Sequence, residues 1–120
     1  MERIVPKVWG EEHWIVNRDE YCGKKLILKK GLRCSLHMHP IKDETFHLES
    51  GAVLLELSGE KHRMKPGDTI HIPTGEWHRF SGIEESVILE FSTRHRDEDV
   101  ERREDSGPIP PDVLSELQSD

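Results

Sequence analysis

Four side chains of the types that bind transition metals lie close together in the sequence: His37, His39, Glu44 and His47. Imidazole nitrogens and carboxylate oxygens suit divalent transition ions, which can act as Lewis acids on a bound carbonyl group. Such an ion needs donors that converge on one point, so the elements that carry these residues decide whether a site exists.

The stretch RCSLHMH at residues 33–39 alternates in residue type, as a β-strand with one buried face does. In a regular strand, Arg33, His37 and His39 share one face. Two imidazoles that are two residues apart on one face can converge on one ion. Pro40 ends this strand, because proline has no N–H to donate to a ladder.

The next predicted strand distinguishes Glu44 from His47 as a third ligand. Glu44 alternates with Phe46 on one face, whereas His47 lies on the other. If Glu44 faces the same interior as the two upstream histidines, His47 cannot. A fourth ligand has to come from elsewhere in the chain. The stretch GDTIHIPTGEWHRF offers His71 and His78, and His78 follows a Pro–Gly turn that can aim it at a distant site.

The remaining sequence predicts a small all-β domain around these residues. Glycine and proline separate segments of about five to eight residues, a spacing typical of antiparallel strands in a sandwich, barrel or jelly roll. The predicted strands are 25–30, 33–39, 45–50, 52–57, 69–73, 78–82 and 86–92. No helical stripe precedes residue 110, and PPDVLSELQ predicts one or two helical turns that begin near Asp112.

Composition excludes several classes of function. The 120 residues fit one domain, and their net charge of −7, without a basic block, argues against nucleic acid and against an anionic membrane surface. No apolar run approaches the roughly 18 residues of a membrane helix, and the N-terminus lacks signal-peptide features. Cys22 and Cys34 are expected to be reduced thiols, which predicts a cytoplasmic protein.

Two motifs in this chain resemble those of the cupin family. The first is a glycine, five residues, His-x-His, a short gap, Glu, six residues and a glycine, which Gly31, His37, His39, Glu44 and Gly51 match. The second is matched by Gly67, Pro73, Gly75 and His78, with Gly82 where Asn is usual.

The resemblance covers about residues 25–92 and implies the fold and the site. The expected fold is an all-β cupin double-stranded β-helix, a jelly-roll barrel, with a short irregular or helical C-terminal tail. The resemblance also implies that His37, His39, Glu44 and His78 bind one divalent transition metal. Three imidazoles and one carboxylate suit Mn, Fe, Co, Ni, Cu or Zn.

The N-terminal half is similar to the cupin region of type II mannose-6-phosphate isomerases and to small stand-alone sugar-isomerase-like cupins. The similarity rests on an early WG, YxxK before Gly31 and the SLH run, and it extends to HRF at residues 78–80, beside the second motif. It implies an aldose–ketose isomerase that acts on a sugar or sugar phosphate through a metal-stabilised enediolate. The sequence departs from those enzymes in two respects. These residues include no nucleotidyltransferase domain, and His37 stands where those enzymes often have Gln. The alternatives are a small iron cupin dioxygenase and a non-enzymatic metal- or sugar-binding cupin.

Three further residues are candidates for handling the small-molecule substrate. Glu90 is a candidate general base, because Glu44 is a poor base while it is coordinated. Arg33 is a candidate for binding a phosphate or carboxylate group of the substrate, and Lys42 is a weaker candidate of the same kind.

The expected organisation has three parts. Residues 1–24 form an N-terminal segment in which RIVPKVW is an edge or dimer strand, and residues 25–93 form the barrel. Residues 94–120 form a charged, proline-containing tail that crosses the surface as a loop. Resemblance to small cupins implies a homodimer.

Overall fold

The computed structural model describes residues 2–118, in which it has thirteen strands and one helix. The strands are β1 (Arg3–Lys7), β2 (Gly10–Asn17), β3 (Cys22–Leu28), β4 (Leu32–Arg33), β5 (Leu36–Met38), β6 (Glu44–Ser50), β7 (Val53–Leu57), β8 (Glu60–Met64), β9 (Thr69–Ile72), β10 (His78–Gly82), β11 (Ser86–Ser92), β12 (Glu101–Glu104) and β13 (Gly107–Pro108). Helix α1 (Pro111–Gln118) follows them.

The strands form two antiparallel sheets. The first sheet has the order β1-β2-β3-β11-β6-β9. In the second, β10 pairs on one side with β7, which pairs with β8, and on the other side with the short strands β4 and β5. Strands β5 and β4 pair in turn with β12 and β13. The predicted all-β fold with one short C-terminal helix is confirmed.

Alternating side chains build the core. In β6 the residues Glu44, Phe46 and Leu48 are buried, whereas those between them are partly exposed, as a strand with one inward face requires. The apolar core draws on both sheets, and its buried members are Trp9, Leu26, Leu28, Cys34, Phe46, Leu48, Val53, Leu55, Met64, Ile72, Phe80 and Ile88. The inward-facing polar residues of β3, β6 and β11 therefore lie beside this core.

Strand β8 is absent from the sequence prediction because only one of its residues, Met64, is buried. It pairs with β7 through a two-residue hairpin turn at Ser58 and Gly59, whose φ angles are +50° and +82°. Positive φ at both central residues is the geometry of a type I′ turn, which matches the twist of the strands it joins. The Ser-Gly pair is thus a hairpin signal in the sequence.

The predicted strand 33–39 is divided in the structure. Arg33 pairs with Ser81, and His37 pairs with His78. The four residue steps from Arg33 to His37 therefore lie opposite only three residue steps on β10. One extra residue lies between β4 and β5, and such a bulge reverses the alternation of side chains. Arg33 is therefore no longer on the face of His37.

The C-terminal segment contributes more than the surface loop that the sequence predicted. Strand β12 adds to β5 through backbone groups, although all four of its side chains are exposed. The predicted helical turns are confirmed as α1, whose first turn contains Asp112. Within residues 2–118, no helix is long and apolar enough to cross a membrane.

Candidate metal centre

Three imidazoles meet at one point between β5 and β10. His37 and His78 are cross-strand partners with ring centroids 4.4 Å apart, and His39, just beyond β5, lies 5.1 Å from the first ring and 5.5 Å from the second. One nitrogen from each ring lies within 4.8 Å of the other two. This spacing allows all three nitrogens to reach one ion.

Backbone carbonyl groups fix the orientation of all three rings. The Nδ1–H group of His37 donates to Ser35 O at 2.8 Å, that of His39 to Asp99 O at 2.7 Å, and that of His78 to Glu76 O at 2.9 Å. Each bond fixes the tautomer with the proton on Nδ1 and leaves a lone pair on Nε2. Such second-sphere hydrogen bonds are typical of histidines that ligate metals.

Glu44 lies against the same nitrogens. Its Oε2 atom is 3.2 Å from Nε2 of His39 and 3.1 Å from Nε2 of His78. Within residues 2–118, this Oε2 atom and the Nε2 atom of His78 are buried and have no hydrogen-bond partner. Buried lone pairs that face one another are costly unless a cation lies between them. The donor set of three nitrogens and one carboxylate oxygen therefore fits a divalent transition ion.

The protonation states suit metal binding. Burial and the neighbouring His78 lower the pKa of His37 to about 3, so its imidazole is neutral near pH 7. Burial alone would raise the pKa of Glu44. The positive charge of Lys42, 3.6 Å from Oε1, opposes this, and the pKa of Glu44 lies below its usual value. An ion thus meets a neutral imidazole and an ionised carboxylate.

A buried ion pair lies beside the histidines. Lys42 Nζ is 3.2 Å from Glu90 Oε2 and 3.6 Å from Glu44 Oε1, and both Lys42 and Glu90 have side chains that are only 4% exposed. Ser92 Oγ also donates to Glu90 Oε2, at 3.0 Å. Burial alone would lower the pKa of Lys42, but the charges of Glu90 and Glu44 raise it, so Lys42 remains an ammonium ion.

These groups line a common cavity of about 390 Å³. His37, His39, Glu44, Lys42 and Glu90 all contribute to its wall, and apolar walls come from Trp9, Phe46 and Phe80. A cavity of this size accommodates a small molecule. The structure therefore brings together two of the three residues predicted to handle substrate, and it places them next to the histidines.

The third of those residues, Arg33, does not line the cavity. The bulge described above separates it from His37, and it lies near Arg79, Glu56 and Glu104 instead. A periodic pattern in sequence cannot reveal such a bulge, because residues 34 and 35 look like ordinary strand residues. His47, as the alternation predicted, lies outside the cluster and contacts Thr69 Oγ1 at 2.7 Å.

Asp99 organises the centre, although no sequence motif marks it. Its carboxylate accepts the backbone N–H groups of Ile41 and Lys42, each at 2.8 Å, and its carbonyl accepts from His39. Asp99 itself is 4% exposed. It therefore fixes the turn that carries Lys42 and the ring of His39 at the same time.

We expect Asp99→Ala to weaken metal binding about 10- to 100-fold, the usual effect of removing a group that orients a ligand. The loss of two hydrogen bonds would loosen the 40–42 turn and with it the carbonyl that holds His39. Competition titration with a chelating dye measures the affinity. Glu98→Ala, an exposed neighbour on the same segment, is the control. Unchanged affinity in Asp99→Ala would show that the ring is fixed by other contacts.

Lys24 also lines the cavity and was missed by the sequence interpretation. In β3, the residues Cys22, Lys24, Leu26 and Leu28 are buried in alternation. Reading this parity along CGKKLIL would have placed Lys24 inside with the two leucines. His95 lines the cavity as well.

Comparison with known proteins assigns the family. The chain matches the family model described as Cupin domain over residues 25–91, which is more than half of its length. The chain belongs to the cupin family. This cupin is 32% identical to a D-lyxose/D-mannose isomerase of Thermosediminibacter oceani and 33% identical to a D-lyxose ketol-isomerase of Cohnella laeviribosi.

Each match covers 69% of this cupin and 61% of the relative, so the chain spans less than two thirds of the length of these curated relatives. Among solved structures, an RmlC-like cupin from Shewanella frigidimarina superposes with a TM-score of 0.73 at 14% identity, covering 79% of this chain and 86% of that one. That likeness supports the fold. The site is therefore a three-histidine cluster, able to hold a metal ion, in a cupin that is related to D-lyxose isomerases.

Proposed function

We propose that this cupin is a metal-dependent aldose–ketose isomerase that acts on the open-chain form of a sugar or sugar phosphate. The observation that carries the proposal is that a cluster of three oriented imidazoles lies beside the buried Lys42–Glu90 pair, and that two of those imidazoles, His37 and His39, line the same cavity as the pair. The first group suits a Lewis-acid ion, and the second supplies a carboxylate for proton transfer. The names of the two curated isomerases agree with this reaction.

In this proposal, His37, His39, His78 and Glu44 hold one divalent ion of Mn, Fe, Co, Ni, Cu or Zn. When bound there, such an ion supplies Lewis-acid polarisation of the substrate carbonyl. Glu44, which faces two of the imidazoles, is thereby unavailable as a base. The base has to be another carboxylate in the same cavity.

Glu90 fits the role of general base. Both of its hydrogen bonds within residues 2–118, from Lys42 and Ser92, reach Oε2, which leaves Oε1 to take the proton from C2 of an aldose and return it to C1. Lys42 holds the carboxylate in place and puts a positive charge beside the carbon atoms that share the negative charge in the transition state. The apolar side chains of Trp9, Phe46 and Phe80 lower the polarity of this part of the cavity and strengthen both effects.

Isomerisation in deuterated water tests the proposal. Protein loaded with each of the metals named above is incubated with D-lyxose, D-mannose and mannose 6-phosphate, and products are followed by NMR. We expect solvent deuterium at C1 or C2 of at least one substrate, and no oxygen consumption with Fe(II). Chelated protein is the control. A metal-loaded protein that exchanges no deuterium with any aldose of a wider sugar and sugar-phosphate panel would refute the proposal.

A further inference from the structure

A second polar cluster lines the cavity and has no part in the proposed isomerisation. It consists of Arg3, Glu12, Trp14, Lys24 and His95, and it is called the Trp14 cluster below. The Arg3 guanidinium lies 4.0 Å and the Lys24 ammonium 4.4 Å from the centre of the Trp14 ring. His95 packs edge-on against the same ring at 4.6 Å. Two cations thus lie on one aromatic side chain at the wall of a cavity.

Lys24 is the buried member of this cluster, with a side chain that is 1% exposed. Its Nζ atom donates to His95 Nδ1 at 2.9 Å and to Glu12 Oε1 at 3.4 Å. An ammonium group has three protons, so within residues 2–118 the third one faces the Trp14 ring and has no oxygen or nitrogen acceptor. Glu12 also accepts from Trp14 Nε1 and lies 4.0 Å from Lys7, so its charge is shared. A buried ammonium group whose third N–H faces only a ring is stabilised further when an anionic ligand supplies an oxygen acceptor.

The charge of the cavity is opposite in sign to that of the protein. Six of the lining residues are Lys or Arg and five are Asp or Glu, whereas the whole chain has 17 basic and 24 acidic residues. The carboxylate of Asp99 is already occupied by two backbone N–H groups. Arg96 and Arg102 line the cavity and form no ion pair within residues 2–118. A divalent ion would add to this positive excess, which favours an anionic ligand.

The sheet register places the Trp14 cluster at a useful distance from the metal centre. Trp14, Lys24, Glu90 and Phe46 are successive cross-strand partners on β2, β3, β11 and β6. Neighbouring strands lie about 4.8 Å apart, so Lys24 starts roughly 10 Å from the strand that carries Glu44. The side chains that project from these strands fill part of that distance, and a sugar chain that ends in an anionic group bridges the rest, with its carbonyl group at the histidines and its far end at Lys24.

We propose that the substrate of this cavity is an acidic sugar, a sugar phosphate or a sugar carboxylate, whose anionic group is bound by Lys24 and Arg3 of the Trp14 cluster. This inference rests on the isomerase proposal for the orientation of the sugar. Residues on β1–β3 would then select the substrate, and the histidines and Glu90 would carry out the reaction. Phosphate is a tetrahedral oxyanion and carboxylate is a planar one. A Lys–Arg pair can bind either group, so the experiment compares them directly.

Calorimetric binding to the metal-loaded protein tests this assignment without any need for turnover. The ligands are mannose, mannose 6-phosphate and mannuronate. We expect one or both acidic sugars to bind at least tenfold more tightly than mannose, with the tighter of the two identifying the preferred anion. Lys24→Met should remove about 10- to 100-fold of that affinity, the effect of losing one hydrogen bond to a charged group, and should leave mannose binding unchanged.

Two further variants make the result specific. Arg3→Gln lies on the exposed edge strand β1, so it tests the same subsite without removing a buried side chain. Lys25→Met changes the next residue of β3, which is on the outer face and 40% exposed, and should have no effect. Equal affinity for mannose and both acidic sugars, no binding of either acidic sugar, or a preference that survives in both Lys24→Met and Arg3→Gln would overturn the inference. A Lys24-dependent preference without deuterium exchange would support it while refuting the isomerase.

Discussion

Replacing both His37 and His39 with Ala should abolish stoichiometric binding of a divalent transition metal. The wild-type protein is expected to bind about one ion per chain, because one nitrogen of each of the three imidazoles lies within 4.8 Å of the other two and Glu44 Oε2 lies 3.1 Å from Nε2 of His78. Removing two of the nitrogens leaves His78 and Glu44, fewer donors than a protein site for such an ion normally uses. Elemental analysis after incubation with Mn, Co, Ni and Zn and after desalting gives the metal content.

The double variant His47→Ala and His71→Ala is a matched control, since it removes two histidines from the same fold. These side chains contact Thr69 and Asp43 and lie outside the cluster. We expect that control to retain the wild-type metal content. If the His37, His39 variant also retained it, the ion would bind elsewhere and the assignment of the cluster would fail. Thermal melts of all three proteins show whether the substitutions preserve the fold.

The alternation of side chains along β6 made the choice between Glu44 and His47 predictable. The sequence alone placed Glu44 with Phe46 inside and His47 outside, and the structure buries the first two and bonds the third to Thr69. Strands with one buried face follow this rule, because each residue turns the side chain by half a revolution. The two spaced motifs predicted the fourth residue of the site, since they joined His78 to the upstream histidines across about forty residues.

The position of Arg33 was beyond such reasoning. A single extra residue between β4 and β5 reverses the face on which every preceding side chain lies. The bulge is set by where β10 pairs, and that pairing joins residues that are far apart in the sequence. A local pattern has no access to it. The same limit explains why β8 and β12 were missed, because their few buried side chains leave no apolar alternation.

The contribution of the C-terminal segment was unpredictable for a different reason. Asp99 orients His39 through its backbone carbonyl, and His95 holds Lys24 through Nδ1. Both residues lie in a stretch rich in charge, where composition predicts a solvated loop. Only the tertiary position of that stretch, beside β5 and over the cavity, gives these two polar residues buried partners. Residues 95–102 thus complete a site whose candidate ligands all lie earlier in the chain.

Glu90→Gln should lower kcat for isomerisation by about 10²- to 10⁴-fold while metal content stays at the wild-type level. The amide keeps the size of the carboxylate and can still accept from Lys42, so the geometry of the pair is retained. In this variant the Lys42 ammonium group still lies 3.6 Å from Glu44 Oε1, so the charge of Lys42 remains compensated. What disappears is the ability to accept a proton. The same deuterium exchange assay, run with whichever aldose the wild-type protein converts, measures the rate.

Glu49→Gln is the matched control, because Glu49 lies on the outer part of neighbouring β6 with a side chain that is 49% exposed, and its ion pair among residues 2–118 is with Lys25. It should leave kcat unchanged. A Glu90→Gln protein with full metal and normal kcat would exclude Glu90 as the base. Parallel loss of metal and activity would instead identify Glu90 as a residue that supports the metal centre through Lys42 and Glu44. Intact metal with loss of deuterium exchange at C2 is the result that only a proton-transferring carboxylate explains.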